Sequence, residues 1–390
     1  MQILYHHRIL ARDGMRVHID ALTGALERRG HGLSIVGPEA DAGEGAHTGL
    51  TSRLAGLRDR LPVWTSNLME LGYQPRAYRS LIAAANRRPP DFLYERYNSF
   101  LTAGLRLKRR LGIPMLLEVN APITHERRQL GTLAFDTLAA RMEQAVWRGA
   151  DAVLPVSDAL ADFLRTAGVA EERITVIPNG VHLENFTGDR DERVKAELGL
   201  EGKTVFGFVG FVRAWHGLER VLEVFARHDD PSLHLLIVGE GPASEDLKGR
   251  AGALGLSDRL TFTGNRPHEA IPYFLRAVDV ALQPDATAYA SPLKLFEYMA
   301  AGCAIIAPDR PNIREILKDG ETALLIDPEA ADGLQRALAA LAADAELRVK
   351  LGRAARAEVE RKDYTWDGNA RRVEQIAERL LASPGRRSAA

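Results

Sequence analysis

The chain has 390 residues, of which 46% are hydrophobic and 26% charged, as is typical of soluble globular proteins with two or three domains. Its formal net charge of −1 argues against a whole-chain attraction to nucleic acid. Cys303 is the only cysteine, which excludes an intramolecular disulfide and a cysteine-rich zinc site and favours a reducing compartment. The opening MQILYHHRIL becomes charged too early for a signal peptide, and no apolar run is long enough to cross a bilayer. The sequence therefore predicts a cytoplasmic protein, with peripheral contact to the inner membrane face left open.

The first half of the chain alternates between strand and helix patterns. QILYHH predicts a strand, residues 17–29 carry apolar residues at helical spacing, and GHGLSIVGP predicts a second strand. Three later stretches have the apolar content of further strands: DFLYERYN, IPMLLEVNAP and DAVLPVS. Such βα alternation predicts a parallel sheet with helices on both faces. RITVIPNGV closes this half near residue 181, so the first domain is predicted over 1–182.

The second half repeats the alternation after a polar, charge-rich stretch. Residues 183–203 predict a linker with one short helix, and then TVFGFVG and LERVLEVFARH predict a strand and a helix. Five more strands are predicted: LHLLIVGEG, RLTFTGN, VDVALQP, CAIIAP and TALLIDP. The second domain is predicted over 204–365, a final helix over 366–382 and a frayed tail over 383–390.

The predicted fold class is therefore α/β, with two doubly wound domains. Ligands of such sheets bind at the carboxyl ends of the strands. Two domains that face each other would place a site in the cleft between them, and the loops directly after strands are the ones to inspect.

The loop after TVFGFVG has the composition of an anion site. Gly210, Arg213, His216 and Gly217 lie between this strand and a helix predicted to begin near Leu218. Glycines allow the backbone to approach a ligand, a helix N-terminus attracts anions, and Arg213 and His216 would add positive charge. The pattern suits a phosphate or diphosphate, and an ordinary βα loop with a solvated arginine is the alternative.

The stretch SPLKLFEYMAAG carries two charges near a helix start. Pro292 is predicted at the first helical position. Lys294 would oppose the helix dipole there unless an anion lies between its ammonium and the helix amides. Glu297, one turn later, could accept hydrogen bonds from two adjacent ribose hydroxyls. A surface Lys–Glu pair at i,i+3 is the alternative.

Two further motifs are incomplete. VGEGPAS, from Val238 to Ser244, comes close to a dinucleotide fingerprint, but the third glycine is missing and Pro242 interrupts the turn. DRD at 189–191 resembles a metal-binding DxD, but it lies in the predicted linker, away from any strand end. Neither motif predicts a nicotinamide, flavin or metal site.

Other patterns concern surfaces and scattered histidines. The basic stretches at 105–112 and 53–60 could lie on anionic lipid, although a solvated helix face is the simpler interpretation. No two histidines have metal-ligand spacing, and neither a G-x-S-x-G elbow nor a P-loop occurs.

As a set, these stretches resemble family 4 of the retaining glycosyltransferases over nearly the whole chain. The resemblance is carried by RDGMRVHI, VIPNGV, VGFVRAWHG, VGEGP, SPLKLFEYMAAG and the closing YTW helix. It implies the GT-B fold, in which two Rossmann-like domains face each other across a cleft that holds a nucleoside-diphosphate sugar. It also implies a last helix that crosses back onto the N-terminal domain. WHG together with SPLKLFEYMA resembles a subgroup associated with exopolysaccharide or cell-envelope glycan synthesis.

The resemblance implies a donor site in the second domain. The family's basic pair on the diphosphate falls on Phe211 and His216 here, so Arg213 and Lys294 are expected to supply charge. Of the family's two glutamates, the second is Glu297, expected on the ribose, and the first falls on Tyr289. Its contact with the donor sugar is expected from Tyr289, Ser291 or Asp285. The implied donor-binding residues are Gly14, Gly210, Arg213, His216, Gly217, Gly239, Arg266 (near the base), Pro292, Leu293, Lys294, Leu295 and Glu297.

The resemblance also implies an acceptor site in the first domain and a reaction. His18 and Asn120 are the catalytic candidates there, and four more residues are implied to bind the acceptor: Arg96, Asn98, Glu126 and Arg127. The implied reaction is a retaining, metal-independent, hexosyltransferase-like transfer to a hydroxyl of a glycan, glycolipid or small molecule. The donor is a nucleoside-diphosphate sugar, with UDP-sugar favoured over GDP-sugar, and no cofactor is implied. The alternatives are a GT-B-type epimerase or phosphorylase and an inactive homologue that acts as a binding protein.

Overall fold

The computed structural model describes residues 1–10, 14–38, 62–187, 191–330 and 332–383. Contacts divide them into unit 1, which comprises the described residues of Met1–Pro178 and Asn369–Ala390, and unit 2, Asn179–Gly368. Four features of the sequence analysis lie outside the described residues: the RD of RDGMRVHI, the basic stretch at 53–60, Asp189 and Arg190 of the DRD motif, and the tail from residue 384.

Unit 1 is built on a parallel five-stranded sheet in the order β2-β1-β3-β4-β5. Its strands are β1 (Gln2–His6), β2 (Gly32–Val36), β3 (Phe92–Arg96), β4 (Met115–Val119) and β5 (Ala152–Pro155). Strands β3 to β5 are buried along their whole length, as expected when both faces of a parallel sheet are covered. The chain turns from one side of β1 to the other between β2 and β3, so the topological switch point lies between β1 and β3.

The helices of unit 1 follow the strands. They are α1 (Gly14–Arg28), α2 (Val63–Gly72), α3 (Gln74–Arg87), α4 (Ala103–Leu111), α5 (Ile123–Gln129), α6 (Asp136–Gly149) and α7 (Asp158–Thr166). The segment RITVIPNGV runs beside β5, where the amides of Thr175 and Ile177 donate to the carbonyls of Val153 and Pro155.

Unit 2 is built on a parallel six-stranded sheet in the order β11-β10-β9-β6-β7-β8. Its strands are β6 (Thr204–Val209), β7 (Leu233–Val238), β8 (Leu260–Phe262), β9 (Val280–Leu282), β10 (Ala304–Pro308) and β11 (Leu324–Ile326). Alternate side chains of β6 enter two separate cores, Val205 and Val209 on one face and Phe206 and Phe208 on the other. The switch point lies between β6 and β9.

The helices of unit 2 cover both faces of this sheet. They are α8 (Glu192–Glu197), α9 (Leu218–Arg227), α10 (Ser244–Ala253), α11 (Ile271–Leu275), α12 (Leu293–Ala300), α13 (Pro311–Arg314), α14 (Gly333–Ala343) and α15 (Ala345–Lys362). Asp191 caps α8, because its carboxylate accepts from the Arg193 amide at 3.0 Å. The helix α16 (Trp366–Ala382) begins in unit 2 and continues in unit 1. No helix within the described ranges has both the length and the apolar character needed to span a bilayer.

Candidate functional site

The loops after β6 and β9 flank the switch point of unit 2. Tyr298 of α12 ties the ends of these strands together, because its hydroxyl accepts from the Val209 amide at 2.9 Å and donates to the Leu282 carbonyl at 3.3 Å. Helix α9 begins after Gly217, which has φ 72°, and α12 begins after Pro292. The N-termini of two helices therefore follow β6 and β9, the two strands between which the strand order reverses. Ligands of doubly wound sheets bind at this point.

Two glycines permit a close approach between the loops after β6 and β7. Gly210 has φ 121° and Gly239 has φ 136°, values that side-chain-bearing residues rarely adopt. A Cβ on Gly239 would overlap the Gly210 carbonyl, and a Cβ on Gly241 would overlap the Val212 carbonyl. The glycines of VGEGP are thus required by the packing of one loop on the other, which accounts for them without a dinucleotide.

The ammonium group of Lys294 lies at the centre of this region. Its Nζ is buried 3.9 Å above the ring centroid of Phe208, and a Cβ on Gly210 would lie 3.3 Å from it. Among the described residues no group forms a hydrogen bond with this Nζ. Burial lowers the pKa of Lys294 to about 7, and Glu297 opposes this shift without cancelling it. The lysine is therefore a desolvated cation at a helix start without an acceptor in the described part of the chain.

Glu297 pairs with a histidine rather than with Lys294. Its Oε1 lies 2.6 Å from Nε2 of His268, in the loop after β8, and this hydrogen bond raises the pKa of His268. The alternative of a simple i,i+3 surface pair therefore does not describe α12. Sequence reasoning missed His268, although it singled out Arg266, two residues earlier, as a residue near the base. Arg266 is exposed and stacks on Phe274, with its guanidinium carbon 5.6 Å from the ring centroid.

His216 is neutral, so the prediction that it adds positive charge is wrong. Its ring is buried against Phe208 and Trp215, and its Nδ1 accepts a hydrogen bond from the Arg213 amide at 3.2 Å. Burial, then the nearby charges of Lys294 and Arg213, lower the pKa of His216 far below its usual range. The proton of the ring must then lie on Nε2. Arg213 itself is exposed, and its guanidinium stacks on Phe211.

The other predicted donor-site residues lie at or before the start of α12. Pro292 precedes the helix instead of taking its first position, because its ψ of 120° is extended, and Leu293 is the first helical residue. The Ser291 hydroxyl accepts from the Asn179 amide at 3.1 Å, and the Asp285 carboxylate accepts from Arg310 at 2.8 Å. Tyr289 and Leu293 are half-buried, and Leu295 is part of the core.

In unit 1 the buried carboxylate of Glu118 contacts three predicted site residues, one each from α1, β3 and the loop after β4. Its oxygens lie 3.1 Å from Nε2 of His18 and 2.5 Å from Nδ2 of Asn120, and Arg96 forms a short ion pair with it. Tyr94 also donates to it, at 2.7 Å. This cluster lies at the carboxyl ends of β3 and β4, next to the switch point of the sheet. Sequence reasoning missed Glu118, although a carboxylate within the apolar strand MLLEV demands buried partners.

The electrostatics of this cluster keep Glu118 ionised. Burial alone would raise its pKa, but His18, Arg96 and the hydrogen bonds it accepts outweigh burial and hold the pKa well below its usual range. Burial and the Glu118 charge raise the pKa of Tyr94. A second buried pair lies beside the cluster, with Nδ1 of His6 2.5 Å from a carboxylate oxygen of Glu95.

The other predicted residues of unit 1 lie apart from these contacts. Arg127 donates to Glu70 of α2 at 2.6 Å and to the Thr132 carbonyl at 3.0 Å. Asn98 and Glu126 are half-buried, and Gly14 is the exposed first residue of α1. The structure thus brings His18, Arg96 and Asn120 together and directs Arg127 towards α2.

A separate cavity of about 420 Å³ lies between α5, α6 and α7 of unit 1. Its lining includes Thr124, His125, Glu143, Trp147 and Phe163. Burial raises the pKa of Glu143 to about 7. None of the predicted donor or acceptor residues lines this cavity, so it is not part of the predicted sites.

Two family models match almost the whole chain in succession. Glycosyltransferase Family 4 matches residues 12–185, and Glycosyl transferases group 1 matches residues 189–358. The chain belongs to the family 4 glycosyltransferases. Among curated relatives, alpha-D-kanosaminyltransferase of Streptomyces kanamyceticus is 26% identical over 63% of this chain and 65% of its own length. D-inositol 3-phosphate glycosyltransferase of Corynebacterium jeikeium is 27% identical over 61% and 59%. The alignments thus span less than two thirds of these relatives.

Solved structures of low sequence identity share the fold over the full length. Sucrose-phosphate synthase from Thermosynechococcus elongatus has a TM-score of 0.78 at 20% identity, covering 98% of this chain and 99% of that one. HepE of Anabaena, solved with UDP-glucose, has a TM-score of 0.73 at 18% identity, covering 98% and 100%. The predicted fold class, GT-B with two Rossmann-like domains, is confirmed.

The two histidines of the unit 2 site should titrate in opposite directions. We expect the His216 ring to stay neutral, with its proton on Nε2, down to about pH 5, because protonation would place a buried charge beside Lys294. His268 should keep its charge at pH values where an ordinary histidine has lost it, because Glu297 stabilises the imidazolium. Imidazole nitrogen shifts measured by NMR, assigned with His216→Asn and His268→Asn, would check both. A charged His216 at pH 6 would contradict the assignment.

Removing the Glu118 carboxylate should destabilise unit 1. Glu118→Ala leaves Arg96 buried without its counter-ion, so we expect a loss of about 3–5 kcal/mol in the free energy of unfolding. The matched control is Glu245→Ala, which breaks an exposed pair with Lys248 and should change the free energy by less than about 1 kcal/mol. Urea unfolding followed by circular dichroism gives both values. Equal losses for the two variants would show that Glu118 does not hold the cluster together.

Proposed function

We propose that this protein is a retaining, metal-independent glycosyltransferase that moves a sugar from a nucleoside-diphosphate sugar to a hydroxyl group. UDP-sugar is the favoured donor over GDP-sugar, and the acceptor is a glycan, a glycolipid or a small molecule. The observation that carries the proposal is the Lys294 ammonium, which is buried at the switch point of unit 2 and has no hydrogen-bond acceptor among the described residues.

A diphosphate would supply the missing acceptor. The N-termini of α9 and α12 offer backbone amides and the positive ends of their dipoles, and the Lys294 amine between Phe208 and Gly210 adds a positive charge that a bound diphosphate stabilises. In the proposed reaction negative charge develops on the departing diphosphate. Groups that are already oriented and desolvated stabilise such charge strongly, and they supply what a metal ion would otherwise supply. Arg213, exposed in the same loop, is the second proposed cation.

His216 and Glu297 would orient the donor. His216 is neutral and carries its proton on Nε2, so it can donate a hydrogen bond without competing with Lys294 for the same charge. The Glu297 carboxylate is buried, and the hydrogen bond between one of its oxygens and His268 restricts its rotation. The carboxylate is therefore suited to accept hydrogen bonds from the ribose hydroxyls.

The acceptor is proposed to bind in unit 1. Glu118 fixes the ring of His18 and the side-chain amide of Asn120, since both contact its carboxylate. We propose that they position the acceptor hydroxyl, which attacks from the face that the diphosphate leaves, so that the departing phosphate takes the proton and the anomeric configuration is kept. Glu118 itself acts as a positioning residue in this scheme.

The comparisons support this proposal at a coarser level. HepE of Anabaena was solved with UDP and with UDP-glucose, and the curated relatives are glycosyltransferases by name. Family membership does not favour an epimerase or phosphorylase, and an inactive homologue is distinguished by the experiment below. A cytoplasmic location and a role in exopolysaccharide or cell-envelope glycan synthesis stay predictions from the sequence.

Donor binding should depend on Lys294. We expect UDP and one or more UDP-sugars, with EDTA present, to raise the midpoint of thermal unfolding. Because a charge-assisted hydrogen bond is lost, Lys294→Met should weaken UDP binding about 10- to 100-fold in calorimetric titration. Lys248→Met is the matched control, since Lys248 also lies over an aromatic ring, Phe262, but on the exposed surface of α10.

The outcomes separate the candidate functions. An unchanged affinity in Lys294→Met would refute the donor site, and the absence of binding by UDP, GDP and ADP alike would favour the inactive homologue. If binding is seen, NMR of the product formed with a mixture of acceptor sugars reports the anomeric configuration. An inverted product would contradict the retaining mechanism.

Donor binding should also take up a proton. The pKa of Lys294 is lowered to about 7 by burial, and a bound diphosphate raises it again, so an empty site is mostly neutral at pH 8 and an occupied one is charged. Affinity for UDP should therefore fall as the pH rises above 7. Calorimetry at pH 8 in buffers of different ionisation enthalpy should give an uptake of about one proton per UDP. The same uptake in Lys294→Met would assign the proton to another group.

A further inference from the structure

Helix α2 of unit 1 turns its asparagine and its one charged residue towards the protein. Asn67 is fully buried and holds the 132–134 loop, since its side-chain oxygen accepts from the Ala134 amide at 2.8 Å. Glu70 is the one charged residue in the helix sequence VWTSNLMELG, and it is paired with Arg127 of α5 at 2.6 Å. The side of α2 that packs on the protein is therefore fixed by polar contacts.

The opposite face of α2 is apolar and exposed. Trp64 is 51% exposed, Leu68 47% and Met69 62%, and at 100° per residue these three share one face with Thr65 and Gly72. Helices on the surface of a protein normally direct their apolar face to the core and their charges to water. The reversed arrangement of α2 indicates that this face has an apolar partner.

The neighbouring helices supply a strongly positive surface. Helix α3 contacts both α2 and α4, and neither α3 nor α4 contains an acidic residue. Their basic residues are Arg76, Arg79, Arg87, Arg106, Lys108, Arg109 and Arg110. Except for Lys108, all of these are exposed. Helix α2, with its exposed apolar face, thus packs against a helix whose charged residues are all basic and exposed.

We propose that α2 binds an anionic lipid bilayer, with Trp64, Leu68 and Met69 inserted at the interface and the basic residues of α3 and α4 against the headgroups. Tryptophan favours this interface because its ring is apolar and its N–H is polar, and basic side chains are attracted to anionic lipid. A lipid surface demands no shape complementarity, which suits a short face with leucine, methionine and no charge. A second copy of the chain is less suited, because two cationic surfaces would repel each other. This inference does not depend on the proposed donor site.

The test uses the full chain with vesicles of phosphatidylcholine, alone or mixed with phosphatidylglycerol. We expect co-sedimentation with the mixed vesicles, at least tenfold weaker in Leu68→Ser/Met69→Ser and weaker also in Arg109→Glu/Arg110→Glu. The matched control is Leu254→Ser/Val349→Ser, which changes two exposed apolar residues of unit 2 and should bind like the wild type. Melting temperatures of all variants should agree, because every changed side chain is exposed.

Tryptophan fluorescence reports the insertion directly. Mixed vesicles should shift the emission to the blue, and brominated lipid should quench it, by an amount that disappears in Trp64→Phe. Binding to neither vesicle, or equal binding by the α2 variant and the wild type, would overturn the proposal. So would a wild type that dimerises without lipid in analytical ultracentrifugation while Leu68→Ser/Met69→Ser stays monomeric, since a second copy would then cover the face. A Trp64 emission that is blue before lipid is added would also overturn it.

Discussion

The Lys294 ammonium has left water without gaining a hydrogen-bond acceptor in the described part of the chain. Desolvating a cation is costly, and a protein tolerates it where the charge has a purpose or a partner. Phe208 offers its ring face and Glu297 acts from a distance, yet the pKa still falls to about 7. The arrangement is held in place by Tyr298, which anchors α12 to the ends of β6 and β9. The position of this cation therefore depends on the strand topology of unit 2.

Unit 1 also buries a charged group, but there the charge has hydrogen-bond and ion-pair partners. Glu118 is as deeply buried, but its oxygens are surrounded by His18, Arg96, Asn120 and Tyr94. A carboxylate that is fully satisfied holds its neighbours in one orientation, whereas a cation without an acceptor is available to a ligand. The two switch points thus have different characters. The cluster of unit 1 is suited to position groups, and the site of unit 2 is suited to bind an anion.

The sequence predicted the strands well because each is a short apolar run between turn residues. It also drew attention to Lys294, because a cation at a helix start opposes the helix dipole, and its role as a donor-binding residue stays a prediction. It did not predict pairings between residues far apart in the chain. His268 and Glu297 are separated by 29 positions, and His18 and Glu118 by 100, so no local pattern reveals them. The charge of His216 was predicted wrongly for a related reason. A histidine in a loop next to an arginine suggests a cationic site, and only the packing of Phe208 and Trp215 around the ring shows that it is neutral. The sequence likewise did not reveal that Asn67 and Glu70 of α2 face the protein. Hydrophobic periodicity identifies the apolar face of a helix but not whether that face points to the core or to water.

The departures from the family pattern in unit 2 are physically coupled. Where the resemblance implies two cations in the loop after β6, this chain has Phe211 and His216, and its buried cation comes from α12 instead. A charged His216 would lie close to Lys294 and would oppose its protonation, since the Lys294 charge already lowers the pKa of His216. The hydrogen bond from the Arg213 amide fixes Nδ1 as an acceptor and so favours the neutral ring. Phe208 then packs against both His216 and Lys294, which allows the lysine to reach Gly210. Restoring a lysine at position 216 would place two ammonium groups around one phenyl ring, so the identities of residues 216 and 294 depend on each other.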